Sequence, residues 1–358
     1  MKKVMLHGAT NMSNYGDYLF AEFFYRKLID NGIEPIFYTD RKYGIGEYFS
    51  KYLNYKPTGS LSDAYKECDA LVFISGGYFV GPSSHAYFDE FKLIARYFKP
   101  AFRFMKMNKP IYVLGVGAGP FDSRPYSKKA KKVLNYAAPI TVRNIESKRF
   151  CEEYGVASSI EVTADTALVV RQYLDKYKTD VPKFEIEAGK KMLLFHIDSN
   201  ATVKDKFRRI IAPAVKRFLE TNTEYRLYLA ADGVKDEKLY SDYRQIFADM
   251  NPTVLIYDDP WVLTRQIERA DLIITTKLHM GIVGSTLGSS VVSFPFIPNK
   301  TRRFYNQINE SERCVPINEI AEEKVLSMLE RYKDKSICVP SDLVKLASRN
   351  LELLPSAK

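Results

Sequence analysis

The chain has little of what would tie it to several large classes of protein. Its four cysteines, Cys68, Cys151, Cys314 and Cys338, stand far apart with no CxxC pair. That spacing writes in neither a zinc ribbon nor a dithiol redox site. At 358 residues the chain is long enough to need no covalent staples, and four reduced thiols point to a cytoplasmic protein. No apolar run approaches the roughly 20 residues needed to cross a bilayer. Val4-Met5-Leu6, after the basic start, is too short for the apolar region of a signal peptide. No set of His, Cys and carboxylates falls at ligand spacing, so neither a metal nor a cofactor is expected. Repeats of solenoid length and low-complexity tracts are also missing, and a composition 46% apolar and 27% charged excludes wholesale disorder.

What is present in excess is positive charge: 53 Lys and Arg against 43 Asp and Glu, a formal net charge of +10. Such a balance invites an anionic partner. A nucleic acid is not the expected one. The 25 Tyr and 22 Phe that could stack on bases fall mostly at strand or helix core positions, and the charge is spread rather than striped.

Short β-branched runs alternate with longer amphipathic segments, the pattern of parallel sheets with crossover helices. In the first half, strands are expected at Val4–His7, Pro35–Tyr38, Ala70–Ile74, Ile111–Leu114, Ile140–Val142 and Ile160–Val162, with helices at Asp17–Asn31, Tyr87–Phe98, Ser127–Tyr136 and Ile145–Tyr154. The charged segment 171–190 has no clear period and reads as a linker. A second series follows, with strands at Met192–His196, Tyr225–Leu229, Val254–Tyr257, Asp271–Thr275 and Ser290–Phe294. Pro213 should kink the helix between the first two of these. The expected fold is α/β: two Rossmann-like doubly wound domains in tandem, residues 1–170 and 191–334, facing a cleft, with a helical tail at 335–358.

In such folds ligands bind beyond the carboxyl ends of the strands. Three glycine-bearing stretches occupy such positions. The first, Gly8 to Asp17, lacks the Gly-Lys-[Ser/Thr] ending of a phosphate-binding P-loop. Asn14 and Gly16 are candidate binding residues there, and Asp17 either caps the following helix or serves the site. The second, Ser75-Gly76-Gly77-Tyr78-Phe79, lets backbone approach a ligand or simply turns the chain; His85 downstream reads as a solvated histidine. The third runs from Gly115 through Gly117 to Pro120. It has Pro120 where a dinucleotide fingerprint needs its last glycine and Asn135 where the ribose needs an acid. A nicotinamide or flavin cofactor is therefore not expected.

The most informative stretch is Asp271 to Gly288. A buried strand delivers Lys277 and His279 at its carboxyl end, directly before a helix rich in small residues. Free amides at the helix start, including those of Leu278 and Met280, combine with an ammonium to make an anion site. An imidazole beside it can give or take a proton near neutral pH. Arg143, ending the strand at 140–142, can grip a carboxylate or phosphate with two parallel bonds or pair with a nearby acid. Asp165 either orients a hydroxyl or caps a turn. Lys300, Arg302 and Arg303, read as a loop after the last strand, add positive potential.

Taken in order, these residues resemble the bacterial polysaccharide pyruvyl transferases. The resemblance is carried by Asn14-x-Gly16-Asp17, Ser75-Gly76-Gly77, Gly115-Val-Gly117-Ala-Gly119-Pro120, Arg143 with Glu146-Ser147, Ala164-Asp165-Thr166-Ala167, Lys277-Leu278-His279, Gly288 and Lys300. Two departures stand out: Lys277 replaces the commoner Arg, and Gly-Gly-Tyr replaces the three glycines of many relatives. The resemblance implies a fold similar to the GT-B glycosyltransferases. It also implies transfer of a pyruvyl group from phosphoenolpyruvate to two hydroxyls of a sugar, with phosphate released, in cell-surface or exopolysaccharide biosynthesis. Residues matching Arg143 and Lys277-Leu278-His279 are associated with phosphoenolpyruvate in that family.

A donor carrying both a carboxylate and a phosphate needs at least two cationic contacts. Arg143 and Lys277 are the candidates, His279 is the candidate acid, and Asp17 or Asp165 could accept the hydroxyl proton. On this expectation the first domain faces the acceptor and carries Arg143, and the second faces the donor. The acceptor is a sugar on a free glycan, a nucleotide or a lipid carrier. For a lipid carrier, the spread basic charge would hold the enzyme at the inner face of an anionic membrane. The alternative is a GT-B glycosyltransferase using a nucleotide sugar. Against it, no acidic residue follows the His279 helix before Glu310.

Overall fold

The computed structural model describes residues 1–358 other than Met12, Pro57, Thr58, 81–86, Ser123, Val234, Lys235 and Lys358. His85 lies outside the described residues. The chain forms two compact units: residues 1–169 together with 341–358, and residues 170–340.

The first unit is built on a parallel sheet of β1 (Lys3–His7), β2 (Glu34–Phe37), β3 (Ala70–Phe73), β4 (Gly76–Phe79), β5 (Ile111–Ala118), β6 (Ile140–Val142) and β7 (Glu161–Val162). Their order is β2-β1-β3-β5-β6-β7, with β4 paired to the end of β5. Strands such as Ala-Leu-Val-Phe in β3 are buried along their whole length, as parallel strands covered on both faces must be. The second unit has β8 (Lys191–His196), β9 (Tyr225–Ala230), β10 (Thr253–Leu255), β11 (Leu272–Thr275) and β12 (Ser290–Ser293), ordered β10-β9-β8-β11-β12 and again parallel. In both sheets the chain first winds to one side and then returns to wind to the other. The reversal falls between β1 and β3 in the first unit and between β8 and β11 in the second, and ligands favour the carboxyl ends of strands at such points.

Several expectations are corrected. The two glycine stretches expected as loops are strand: Gly76–Phe79 is β4, and β5 continues through Gly115 and Gly117 to Ala118. Gly115 adopts φ +66 within β5, and the register of β5 with β6 shifts between Val113 and Val116. The strand is therefore locally bent, which is what makes it look like a turn in sequence. Asn14, not Asp17, caps the first helix, Tyr15–Asp30; its side chain accepts from the Asp17 amide. The segment expected as a linker opens with a helix, Val170–Tyr177. Within the expected tail, the helix Ser341–Glu352 belongs to the first unit. Lys300, Arg302 and Arg303 lie on a helix, Pro298–Gln307, and not in a loop. Finally, helical structure runs from Ala201 to Thr221 through a π-turn at Phe207–Ile211. That wider turn, just before Pro213, accommodates the proline's missing N–H and its crowding of the preceding turn.

Candidate active site

In the second unit, β11 (Leu-Ile-Ile-Thr) is a fully buried strand that ends at Thr275. The Thr275 hydroxyl accepts from the Lys277 amide at 3.0 Å, closing a small side-chain turn that stops the strand. Lys277 then serves as the extended N-cap residue of the helix Leu278–Thr286. The first backbone bond of that helix runs from the Gly281 amide to the Lys277 carbonyl. The amides of Leu278, His279 and Met280 thus belong to its opening turn, where intrahelical acceptors run out. The Leu278 and Met280 side chains are buried, so these residues can serve a ligand only through their backbone. The small residues behind them have a packing cause. A Cβ at Gly284 would lie 2.6 Å from Ile273 Cδ1, and one at Gly281 would lie 2.8 Å from the Tyr305 hydroxyl oxygen.

The reversal point of this sheet also holds groups that the sequence reading passed over. Asp198, two residues beyond β8, is buried and accepts from the Thr276 hydroxyl at 2.7 Å, and its carboxylate lies 3.6 Å from Lys277 Nζ. His196, the last residue of β8, is fully buried with Nε2 3.2 Å from the Asp232 carboxylate. Burial works to raise the Asp232 pKa, but the adjacent His196 imidazole, with the Lys277 ammonium, outweighs it and holds the carboxyl below its ordinary value. Lys277 is thus a steered cation and not a loose surface charge. The available signal was positional: His196 and Asp232 stand at the carboxyl ends of neighbouring strands, β8 and β9.

In the first unit, Arg143 follows β6 and donates from Nη1 to Asp165 at 3.0 Å, both side chains being buried. The second Asp165 oxygen accepts from the Ala167 amide at 3.1 Å, so this carboxylate both caps a turn and aims the guanidinium. The pairing of β4 with β5 brings two of the glycine motifs to the same place. A Cβ at Gly117 would lie 3.0 Å from Arg143 Nη2 and 3.1 Å from Nε, and one at Gly77 would lie 4.0 Å from Nη2. Asp165 takes the Nη1 side, while glycine at 117 brings no side chain of its own to the Nε–Nη2 edge, a geometry that can grip an oxyanion with two bonds.

The remaining candidates have different surroundings. Asn14 is occupied as a helix cap, and Gly16 is buried in the first helical turn beside Asp17. Burial pushes up the pKa of Tyr78 and Tyr97, whose rings stack at 5.1 Å, and the Asp17 charge adds to this; its carboxylate thus belongs with those rings. A Cβ at Gly76 would meet the Tyr78 ring at 2.5 Å, a steric reason for glycine there. Lys300 is exposed and Arg303 partly buried on the helix Pro298–Gln307. Among the described residues no group of three or more His, Cys, Asp or Glu could hold a metal ion. No helix among them is long and apolar enough to cross a membrane.

Comparison with solved structures places the fold. The chain matches UDP-GlcNAc 2-epimerase from Neisseria meningitidis bound to UDP-GlcNAc (TM-score 0.65, 11% identity, 98% of this chain and 100% of that one). The Methanocaldococcus jannaschii UDP-GlcNAc 2-epimerase matches with TM-score 0.65 and 13% identity over 99% of each chain. S. aureus MnaA, in a structure with UDP, matches with TM-score 0.60 and 15% identity over 98% of this chain and 91% of that one. These likenesses establish a GT-B-like α/β fold. A search of curated proteins finds no match. The sequence model of one family covers residues 14–295, a span that holds Arg143, Asp165, Lys277 and His279, and on that match the chain belongs to the polysaccharide pyruvyl transferase family.

Proposed function

We propose that the protein moves a pyruvyl group from phosphoenolpyruvate onto two hydroxyls of a sugar, forming a cyclic ketal and releasing phosphate. The observation that carries this reading is the Arg143 guanidinium, held by Asp165 on one side and bordered by glycine on its bidentate edge. A fixed guanidinium of this kind suits a small donor with a planar carboxylate. Lys277 and the opening amides of the helix Leu278–Thr286 suit a phosphate.

In this mechanism His279, in the same opening turn, protonates the enol methylene carbon, which becomes a methyl group and leaves positive charge at the carbon bearing the phosphate. One sugar hydroxyl bonds to that carbon and loses its proton. The second hydroxyl displaces phosphate, its proton returning to His279, and the phosphate departs with the electrons of the broken C–O bond. Lys277 neutralises charge developing on the departing phosphate. Asp165, already engaged with Arg143 and the Ala167 amide, acts by aiming the guanidinium; Asp17 is the carboxylate proposed to accept a hydroxyl proton. The proposed steps draw on side chains and backbone amides of this chain. A lipid-linked acceptor and association with the inner face of a membrane belong to the same proposal, with the basic surplus of the chain as support.

The test uses purified protein, phosphoenolpyruvate and a panel of galactose, glucose and mannosamine acceptors. Phosphate release with an acid-labile ketal on the sugar is expected, and His279→Ala and Arg143→Ala should each abolish most of it. Wild-type phosphate release by both variants would refute these roles. Release of a nucleoside diphosphate from a sugar nucleotide would assign the protein to glycosyl transfer instead.

A further inference from the structure

Helix Ser341–Glu352 lies outside the family match, which ends at residue 295, yet it inserts one fully buried amide, Asn350, into the carboxyl end of the first sheet. Asn350 Oδ1 accepts from the Thr141 hydroxyl at 2.6 Å and from the Thr163 hydroxyl at 2.8 Å. Its Nδ2 donates to the Ala164 carbonyl at 3.0 Å and to the Thr166 hydroxyl at 2.9 Å. The amide orientation is fixed, because the Ala164 carbonyl can only accept. Thr166 passes the chain on to Ser75 at 2.6 Å, and Ser75 reaches the Leu114 carbonyl at 3.2 Å. Thr141 in turn accepts from the Gly115 amide at 2.6 Å.

One side chain thus holds two segments, each ending in a proposed site residue. Thr141 is two residues before Arg143. Thr163, Ala164 and Thr166 bracket Asp165. The Arg143 and Asp165 side chains meet at 3.0 Å, and the separation of these two segments sets whether they can. We propose that Asn350 is a positioning residue: it fixes the Arg143–Asp165 pair and so completes the donor-binding geometry from a helix beyond the span matched by the family. The donor itself rests on the function proposed above; the positioning of Arg143 does not.

The experiment reads both levels. In protein labelled with 15N-arginine, the Arg143 Nε–H resonance, assigned with Arg143→Lys, should show a hindered guanidinium in the wild type. In Asn350→Ala it should shift and regain fast rotation. The same variant should raise the phosphoenolpyruvate KM roughly tenfold, with kcat changed by less than about threefold. In an Arg143→Ala background, Asn350→Ala should add little, because a residue that acts through another has no separate effect. An unchanged Arg143 resonance in folded Asn350→Ala overturns the proposal. Should Asn350→Ala fail to fold, Thr163→Val and Thr163→Ser replace it. The serine, which keeps the hydroxyl, should behave as wild type while the valine shifts the Arg143 signal, and two wild-type spectra would refute the role. If wild-type protein releases no phosphate from phosphoenolpyruvate, the proposed function fails, and the resonance still decides whether Asn350 positions Arg143.

Discussion

Replacing Gly117 with alanine tests the donor geometry with a single methyl group. That methyl would lie 3.0 Å from Arg143 Nη2, 3.1 Å from Nε and 3.3 Å from Cζ. The guanidinium would have to move by a few tenths of an ångström, and the methyl would stand where an oxyanion oxygen must sit to bond both nitrogens. The folded protein should tolerate this. Crowding one methyl into a packed site costs about 1 kcal/mol, and the reduced freedom of the unfolded chain returns about 0.7 kcal/mol. The melting temperature should therefore move by only about 1 °C. Binding should suffer far more. A hydrogen bond to a charged group is worth about 2 kcal/mol, so losing one of the two on this edge raises the phosphoenolpyruvate KM by roughly 30-fold. The assay is phosphate release at varied phosphoenolpyruvate with saturating acceptor, alongside a thermal melt. A KM within twofold of wild type, in protein that melts normally, would show that the donor does not use the Nε–Nη2 edge of Arg143.

Gly115→Ala should behave in the opposite way, destabilising the fold by roughly 3 kcal/mol or more in urea titration. The residue adopts φ +66, and its Cβ would lie 2.3 Å from Ser75 Oγ, 2.8 Å from Asn350 Nδ2 and 2.8 Å from Thr166 Oγ1; a wild-type urea midpoint would refute this account of β5. His7 gives a pH dependence. Burial pushes it down to about 4 from 6.5, so the folded state keeps it neutral while the unfolded chain takes up a proton. Its contribution is complete above about pH 6.5 and is lost as the pH falls towards 4, about 3 kcal/mol in all. A His7 ring that charges near pH 6.5 in an NMR titration of the folded protein would refute the assignment.

Local pattern was enough for most of the strands and for their parallel arrangement, because a buried parallel strand is a short β-branched run that needs no partner to be recognised. It failed where glycine is part of a strand. Gly76 and Gly77 lie in β4, and Gly115 and Gly117 in β5, but in sequence each pair has the composition of a turn. Arg143, Asp165, Lys277 and His279 were legible as residues at strand ends. Asp198, Asp232 and His196 were not, because none carries a motif and each acquires meaning only from the strand beside it. Asn350 was beyond reach altogether: its partner Thr141 lies 209 residues away, and nothing in Ser-Arg-Asn-Leu announces a buried amide.

The sequence by itself determined most of the strands, that the chain holds two doubly wound units, and which cations could meet an anion. Those features are set by periodicity and by residue type, and both are local. The tertiary structure alone decided that Asp165 is the partner of Arg143, that Gly117 borders the guanidinium, that Asp198 steers Lys277 and that the last helix closes the first sheet. Each of these depends on a hydrogen bond or a close approach of about 3 Å between distant segments, and such distances exist only once the sheets have fixed the order of their strands.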